Sequence, residues 1–247
     1  MLRDEIFKNG ALGKGVRFEF TERVAGVFDD MICRSIPAYN ELQQILVDLI
    51  RRCSTSRPTI YDIGCSTGET IERIVLSLPE ARVIGVDSSE PMIDRARHRL
   101  YPTFEARVQL ICDKAQNTIE LHKNSADVVV MSLVLQFMSP EDRPKILCAV
   151  YQCLRPGGVL LLVEKVLQED ATFEFLMSDC YADYKKRQGY SSDEIENKKA
   201  ALAGVLVPLR QSENAALLSE AGFSERSTFY SMLCFHGLLA RKAGELK

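Results

Sequence analysis

The chain has 247 residues, 46% of them hydrophobic, which is enough for one sizeable core and is a length at which a single large α/β domain is common. Its 31 Lys and Arg against 34 Asp and Glu leave a net charge of −3, which argues against a global positive field for gathering nucleic acid or anionic membrane. Eight cysteines without a CxxC pair or a close histidine spacing argue against a metal site and read as reduced thiols of a cytoplasmic protein.

The N-terminal stretch MLRDEIFKNGALGKG lacks the apolar core of a signal peptide, and no run reaches the ~18 apolar residues of a membrane span, so a soluble protein is expected. Residues 1–36 are polar and mixed around one apolar stretch, FEFTERVAGVF, and are expected to form an arm or lid. From Pro37 the pattern turns helical. Leu42, Ile45, Leu46, Leu49 and Ile50 share one face of a helix that should end near Arg52.

Short apolar runs then alternate with helical stretches. TIYDI (59–63), RVIGVD (82–87), RVQLIC (107–112), ADVVVMS (126–132) and GVLLLVEK (158–165) are compact enough to be strands buried on both faces. Helices are predicted after Glu69, after Glu90 and over 141–153. Strands alternating with helices require crossover connections, hence a mainly parallel, doubly wound sheet. A charged helical stretch over 173–204 is too long for a simple crossover and is expected to be an inserted cap. A helix at 213–221 and two β-like runs at 226–230 and 233–240 complete the chain. The last two are close enough to pair antiparallel, giving seven strands of a Rossmann-like fold. No repeat or linker intervenes, so one unit over 1–247 is expected.

The first strand-to-helix junction reads Tyr61-Asp62-Ile63-Gly64-Cys65-Ser66-Thr67-Gly68-Glu69. Gly64 and small Ser66 let backbone approach a ligand, and Gly68 opens the next helix. A nicotinamide fingerprint would want GxGxxG. Glu69 would instead set a carboxylate against a pyrophosphate at the helix N-terminus, so a ligand without phosphate fits better. S-Adenosylmethionine is such a ligand. Asp87 ends the second strand 19 positions beyond Gly68, where an acidic residue accepts hydrogen bonds from ribose hydroxyls. Asp113 follows the third strand and is placed to meet the adenine amino group, while Ser132 ends the fourth on the floor of the cleft. Each acidic residue alone reads equally well as a turn or helix cap. Together, at successive strand ends, they outline a ligand crevice.

The chemistry is less legible. There is no Pro-Cys pair for a cytosine-type nucleophile, and no Asn/Asp-Pro-Pro-aromatic run follows the fourth strand. His98, His122 and His236 stand at positions that suggest surface or partly packed residues rather than a general base.

Several segments nevertheless resemble one family: RSIPAY (34–39), YDIGCS (61–66), LQF (135–137), EK (164–165), DYKKRQGYSSDEIENKK (183–199) and CFHGLLARK (234–242). Together they are similar to the carboxy-S-adenosyl-L-methionine synthases, over about Phe20 to Lys242. The resemblance implies a transfer in which prephenate gives up a carboxyl group, becomes phenylpyruvate, and the carboxyl carbon is captured by the sulfonium methyl of S-adenosylmethionine. The product, carboxy-S-adenosylmethionine, would feed a separate tRNA carboxymethyltransferase that modifies a wobble uridine. It also implies a homodimer that leaves RNA binding to its partner enzyme, in keeping with the acidic balance, while the lack of an apolar span argues against a membrane partner.

Carried onto this chain, the resemblance assigns Tyr39, Gly64, Cys65, Ser66, Asp87, Ser88, Asp113, Lys114, Ser132 and Lys199 to the cofactor site. Ser132 stands where the family usually has Asn, and Lys199 where it usually has the Arg that holds the transferred carboxylate. The second change exchanges a bidentate fork for a point charge. Two carboxylated ligands in one cleft demand cations, for which Arg34, Lys198 and Lys199 are the candidates, with catalytic roles expected for Arg34 and Lys199. Deprotonating a sulfonium methyl also demands exclusion of water, for which the arm and the cap are candidates. Lys185, Lys186 and Arg187 read as a solvated helix face. Two other readings stay open: a methyltransferase acting on a small molecule or RNA, and a non-catalytic cofactor-binding partner of a tRNA-modifying enzyme.

Overall fold

The computed structural model describes residues 2–8, 16–119 and 123–245. His122 lies outside them. Strands β1 (Thr59–Ile63), β2 (Arg82–Asp87), β3 (Val108–Cys112), β4 (Ala126–Ser132) and β5 (Leu154–Leu167) run parallel. Strand β8 (Phe235–Arg241) pairs antiparallel with both β5 and β7 (Glu225–Met232), giving the order β3-β2-β1-β4-β5-β8-β7. This is the mainly parallel seven-stranded sheet expected from the sequence. A two-residue strand, β6 (Leu209–Arg210), adds a short parallel pairing to the end of β5 that no sequence pattern announces.

Alternation along the strands divides the core in two. Ile60, Val83, Val128, Val130, Leu161 and Val163 face one way, against α3 (Tyr39–Cys53), α4 (Glu69–Ser77) and α5 (Glu90–Leu100). Tyr61, Ile84, Val129, Met131, Leu160 and Leu162 face the other, against α7 (Arg143–Cys153) and α10 (Gln211–Glu220). Both faces are therefore dry, which is why the strands read as continuous apolar runs. In α3 the burial centres on Leu42, Leu46 and Ile50, with Ile45 and Leu49 at the margin. The short helix α6 (Ala115–Ile119) follows β3.

The N-terminal segment is more than an arm. Helices α1 (Glu22–Ala25) and α2 (Phe28–Ser35) share a third apolar cluster with Ile6, Phe7, Phe18, Met92 of α5 and Ala201. Residues 171–202 form two helices, α8 (Ala171–Arg187) and α9 (Ser192–Leu202). Gly189 turns the chain between them at φ +86°, and Ser191 with Glu194 closes a reciprocal cap at the start of α9. All eight cysteines are free. Among the described residues no helix is long and apolar enough to cross a membrane.

Candidate functional site

The strand order reverses at β1, whose neighbours β2 and β4 lead away to opposite edges, and such a switch opens a crevice at the carboxyl ends of the strands. A cavity of about 860 Å³ lies there, roofed by residues of α2, α3, α8 and α9. Every residue assigned above to the cofactor site lines it: Tyr39, Gly64, Cys65, Ser66, Asp87, Ser88, Asp113, Lys114, Ser132 and Lys199.

The junction after β1 is built for close approach. Gly64 (φ +72°), Ser66 (φ +52°) and Gly68 (φ +79°) all take left-handed backbone. A Cβ on Gly64 would lie 2.2 Å from a Val134 methyl, so only glycine fits. The two oxygens of Asp87 accept from the backbone N–H groups of Ser66 and Ser89, both at 2.9 Å. Asp87 is thus a scaffold of the turn as well as a ligand candidate. Asp113 accepts from the Lys114 N–H and the Asn117 side-chain amide through one oxygen, which ties the turn before α6 and leaves the other oxygen unused by those bonds. At the turn Thr67 donates to Asp29 of α2, and Arg99 bonds both residues, so the N-terminal segment is fastened directly over the glycine junction.

Among the described residues two buried side-chain atoms lack a hydrogen-bond partner, Nδ1 of His236 on β8 and Oδ2 of Asp62, and of these Asp62 belongs to the cavity. It is buried at the edge of the cavity, one of its oxygens finds no partner among the described residues, and burial followed by the charge of Asp87 pushes its carboxyl up to about 7. A buried carboxylate oxygen without a donor fits a ligand carrying positive charge. Glu69 at the start of α4 also faces the cavity and would repel a phosphate. A sulfonium amino acid joined to adenosine meets both conditions.

The opposite end of the cavity is basic. Lys165 at the end of β5, Lys185 of α8 and Lys198 and Lys199 of α9 all line it. Lys198 is internally engaged, donating to Ser35 Oγ at 2.8 Å and lying 3.9 Å from Asp4. Lys185 corrects the expectation of a solvated helix face. Residues 178, 181, 182 and 185 share the cavity side of α8, and burial, then the nearby Lys165, pull the Lys185 ammonium down to about 8. That helical spacing was visible in the sequence but is masked by the run of basic residues around it. Lys186 next to it is exposed and paired with Asp183.

Arg34 does not line the cavity. Its guanidinium donates to the Gln188 and Asp4 carbonyls and to Asp30, and stacks 3.9 Å from the Tyr190 ring centroid. It therefore joins the N-terminal segment to the α8–α9 turn. The rest of RSIPAY serves a related end: the carbonyls of Ser35, Ile36 and Pro37 accept in turn from the hydroxyls of Tyr181, Tyr184 and Tyr230. Three tyrosines thus hold this segment against α8 and β7, and deliver Tyr39 to the cavity wall. His98 is exposed, and half-buried His236 stands on β8, away from the cavity lining.

Comparison with known proteins agrees with this geometry. A methyltransferase-domain family model matches residues 60–158, the stretch from β1 into β5. The chain is 37% identical to the carboxy-S-adenosyl-L-methionine synthase of Helicobacter hepaticus, over 98% of this chain and 100% of that protein. It is also 37% identical to the enzyme of that name from Trichodesmium erythraeum, over 98% and 94%. The chain belongs to the carboxy-S-adenosyl-L-methionine synthase family. It is accordingly an enzyme of the transferase type that works on S-adenosylmethionine. Among solved structures, an O-methyltransferase family protein from Burkholderia thailandensis superposes with a TM-score of 0.62 at 17% identity, covering 90% of this chain and 60% of that longer one. That likeness reports the shared fold, whereas the close relatives report the family.

Proposed function

We propose that the protein converts S-adenosylmethionine and prephenate into carboxy-S-adenosylmethionine and phenylpyruvate. The observation that carries the reading is the polarity of one cavity, acidic at the glycine junction and basic on balance at α8, α9 and the end of β5, where four lysines face one carboxylate, Glu196. A cationic substrate and a doubly anionic one would be sorted to opposite ends of such a cavity. Asp62, Asp87 and Asp113 would take the nucleoside and amino-acid parts of S-adenosylmethionine, and Lys199 the carboxylate being transferred.

The transfer balances without an outside reagent. The donor ring loses its carboxyl group and its hydroxyl and becomes aromatic, while the methyl group loses one proton and gains the carboxyl carbon. The hydroxyl leaves with that proton as water, so no strong protein base is required. What the protein must do is hold the two ligands together and exclude solvent. The fastening of α2 over the glycine junction and of α8 over RSIPAY supports that role. The proposal includes a homodimer in the cytoplasm, no nucleic-acid binding by the chain itself, and a tRNA carboxymethyltransferase as consumer of the product.

The test is mass spectrometry of reactions containing S-adenosylmethionine with and without prephenate. The expected result is a cofactor species one carboxylate heavier, formed only with prephenate. Unchanged cofactor under both conditions, with methyl transfer to another acceptor, overturns the proposal in favour of a plain methyltransferase.

A further inference from the structure

Among the lysines that line the cavity, Lys165 and Lys185 are the two whose ammonium groups gather at one and the same ring, that of Tyr181. Among the described residues neither makes an ion pair or a side-chain hydrogen bond, whereas Lys198 has Ser35 and Asp4. Their ammonium groups lie 5.2 and 4.5 Å from the centroid of one ring, that of Tyr181. The ring is itself fixed: its hydroxyl donates to the Ser35 carbonyl at 3.0 Å, and Phe235 packs edge-on at 5.4 Å. The backbone of Lys165 is fixed as well, since its N–H donates to the side-chain oxygen of buried Gln136 at 2.9 Å.

Two cations beside one aromatic ring, partly withdrawn from water, repel one another. The ring quadrupole offsets only part of that cost. On the outer surface of the same helix Lys186 has its own carboxylate, Asp183, so α8 does not lack the means to pair a lysine. The carboxylate that faces Lys185 is Glu196, which lies beyond ion-pair distance. An unpaired pair of cations maintained in a cavity calls for an anion from outside the chain. The neighbouring aromatic wall suits a ligand whose anionic group is carried close to an unsaturated ring.

We infer that Lys165 and Lys185 grip the carboxylate that the donor keeps, while Lys199 holds the one it gives up, so that the cavity selects a cyclic donor with two carboxylates. This assignment rests on the proposed reaction. It makes Lys165 and Lys185 donor-binding residues with no part in holding S-adenosylmethionine, and it makes phenylpyruvate, which retains only that carboxylate, a ligand of the same two lysines.

The experiment compares Lys165→Gln, Lys185→Gln and Lys185→Arg with wild type, using Lys186→Gln as the surface control. For both glutamine variants KM for prephenate should rise on the order of ten- to a hundred-fold, and inhibition by phenylpyruvate should weaken by a similar factor. Calorimetric affinity for S-adenosylmethionine should stay within about two-fold, and Lys185→Arg should restore most of the donor affinity because it keeps the charge. Unchanged prephenate KM and unchanged phenylpyruvate inhibition in both glutamine variants overturn the inference, as does an equal loss of S-adenosylmethionine affinity. If wild type makes no carboxylated product from prephenate, the proposed reaction fails. Direct titration with phenylpyruvate then decides the lysine site separately: binding by wild type that both glutamine variants lose upholds it, and binding that they keep removes it.

Discussion

Glu164 and Gln136 hold each other across the floor of the cavity. Glu164 accepts from the Gln136 N–H at 2.9 Å, and the Gln136 side chain accepts from the N–H of Lys165, next to Glu164, also at 2.9 Å. The other oxygen of Glu164 takes the N–H groups of Val134 and Leu135. One buried carboxylate therefore shapes the turn after β4, where Leu133 sits at φ +62° and residues 135–137 form a single 3-10 turn. Glu164→Gln sets an amide NH₂ against a backbone donor and should cost about 1–3 kcal/mol. Urea denaturation of the apo protein measures it, and an unchanged midpoint would show that the turn holds itself.

Asp4 does comparable work at the other side of the cavity. It accepts from Tyr190 Oη at 2.5 Å and neighbours Lys198 at 3.9 Å, both groups being buried. Asp4→Ala leaves Lys198 with Ser35 alone and should destabilise the protein by about 3 kcal/mol. Adding Lys198→Met should recover part of the loss. Denaturation midpoints of the single and double variants form the cycle, and strict additivity would mean the two groups do not interact.

Asp87→Ala should weaken S-adenosylmethionine binding by about 2–3 kcal/mol, because ribose hydroxyls lose a charged acceptor. The bonds to Ser66 and Ser89 add a second expectation: the thermal midpoint of the ligand-free variant should fall too. Asp87→Asn, which keeps one acceptor oxygen, should fall less in both. Calorimetric titration and thermal melts separate the effects, and normal affinity in Asp87→Ala would leave Asp87 as a turn scaffold only.

Lys199→Ala should lose about 1.5–3 kcal/mol of affinity for carboxy-S-adenosylmethionine while keeping affinity for S-adenosylmethionine, whose transferable methyl carries no charge. Lys199→Arg should keep or improve it. The readout is the ratio of the two dissociation constants. If the alanine variant leaves that ratio unchanged, the carboxylate is held elsewhere, with Lys198 next in line.

The Asp62 carboxyl, pushed up to about 7 by burial and by Asp87, fixes the sign of a pH effect. A folded-state value above the unfolded one means that the neutral form is favoured by folding. Its contribution is present below about pH 4 and is lost as pH rises to about 7, to the extent of at most about 4 kcal/mol. Asp62→Asn should flatten that part of the ligand-free stability profile and make the protein more stable than wild type above pH 7. Denaturant titrations at several pH values test it, and parallel profiles would show that Asp62 is already satisfied in solution.

The sheet and the glycine junction were legible in the sequence because their causes are local. β1, β2 and β4 begin and end where their apolar runs do, since both faces of each strand are dry and a turn residue closes each run. Gly64, Asp87 and Ser132 announced themselves by position at strand ends, and Tyr39 and Lys199, legible through the family motifs, line the same cavity. What depended on contacts distant in sequence was not legible. Whether Lys185 meets water or a cavity depends on α8 being held down through Tyr181 and Tyr184 onto carbonyls about 150 positions away. The N-terminal segment read as polar and mixed because its few apolar side chains are buried only jointly with Met92 and Ala201. Arg34 is spent on the joint between that segment and the α8–α9 turn, a use that no local pattern encodes. Periodicity records which face of an element is dry, while the direction of a long charged side chain is decided by the partners that folding brings to it.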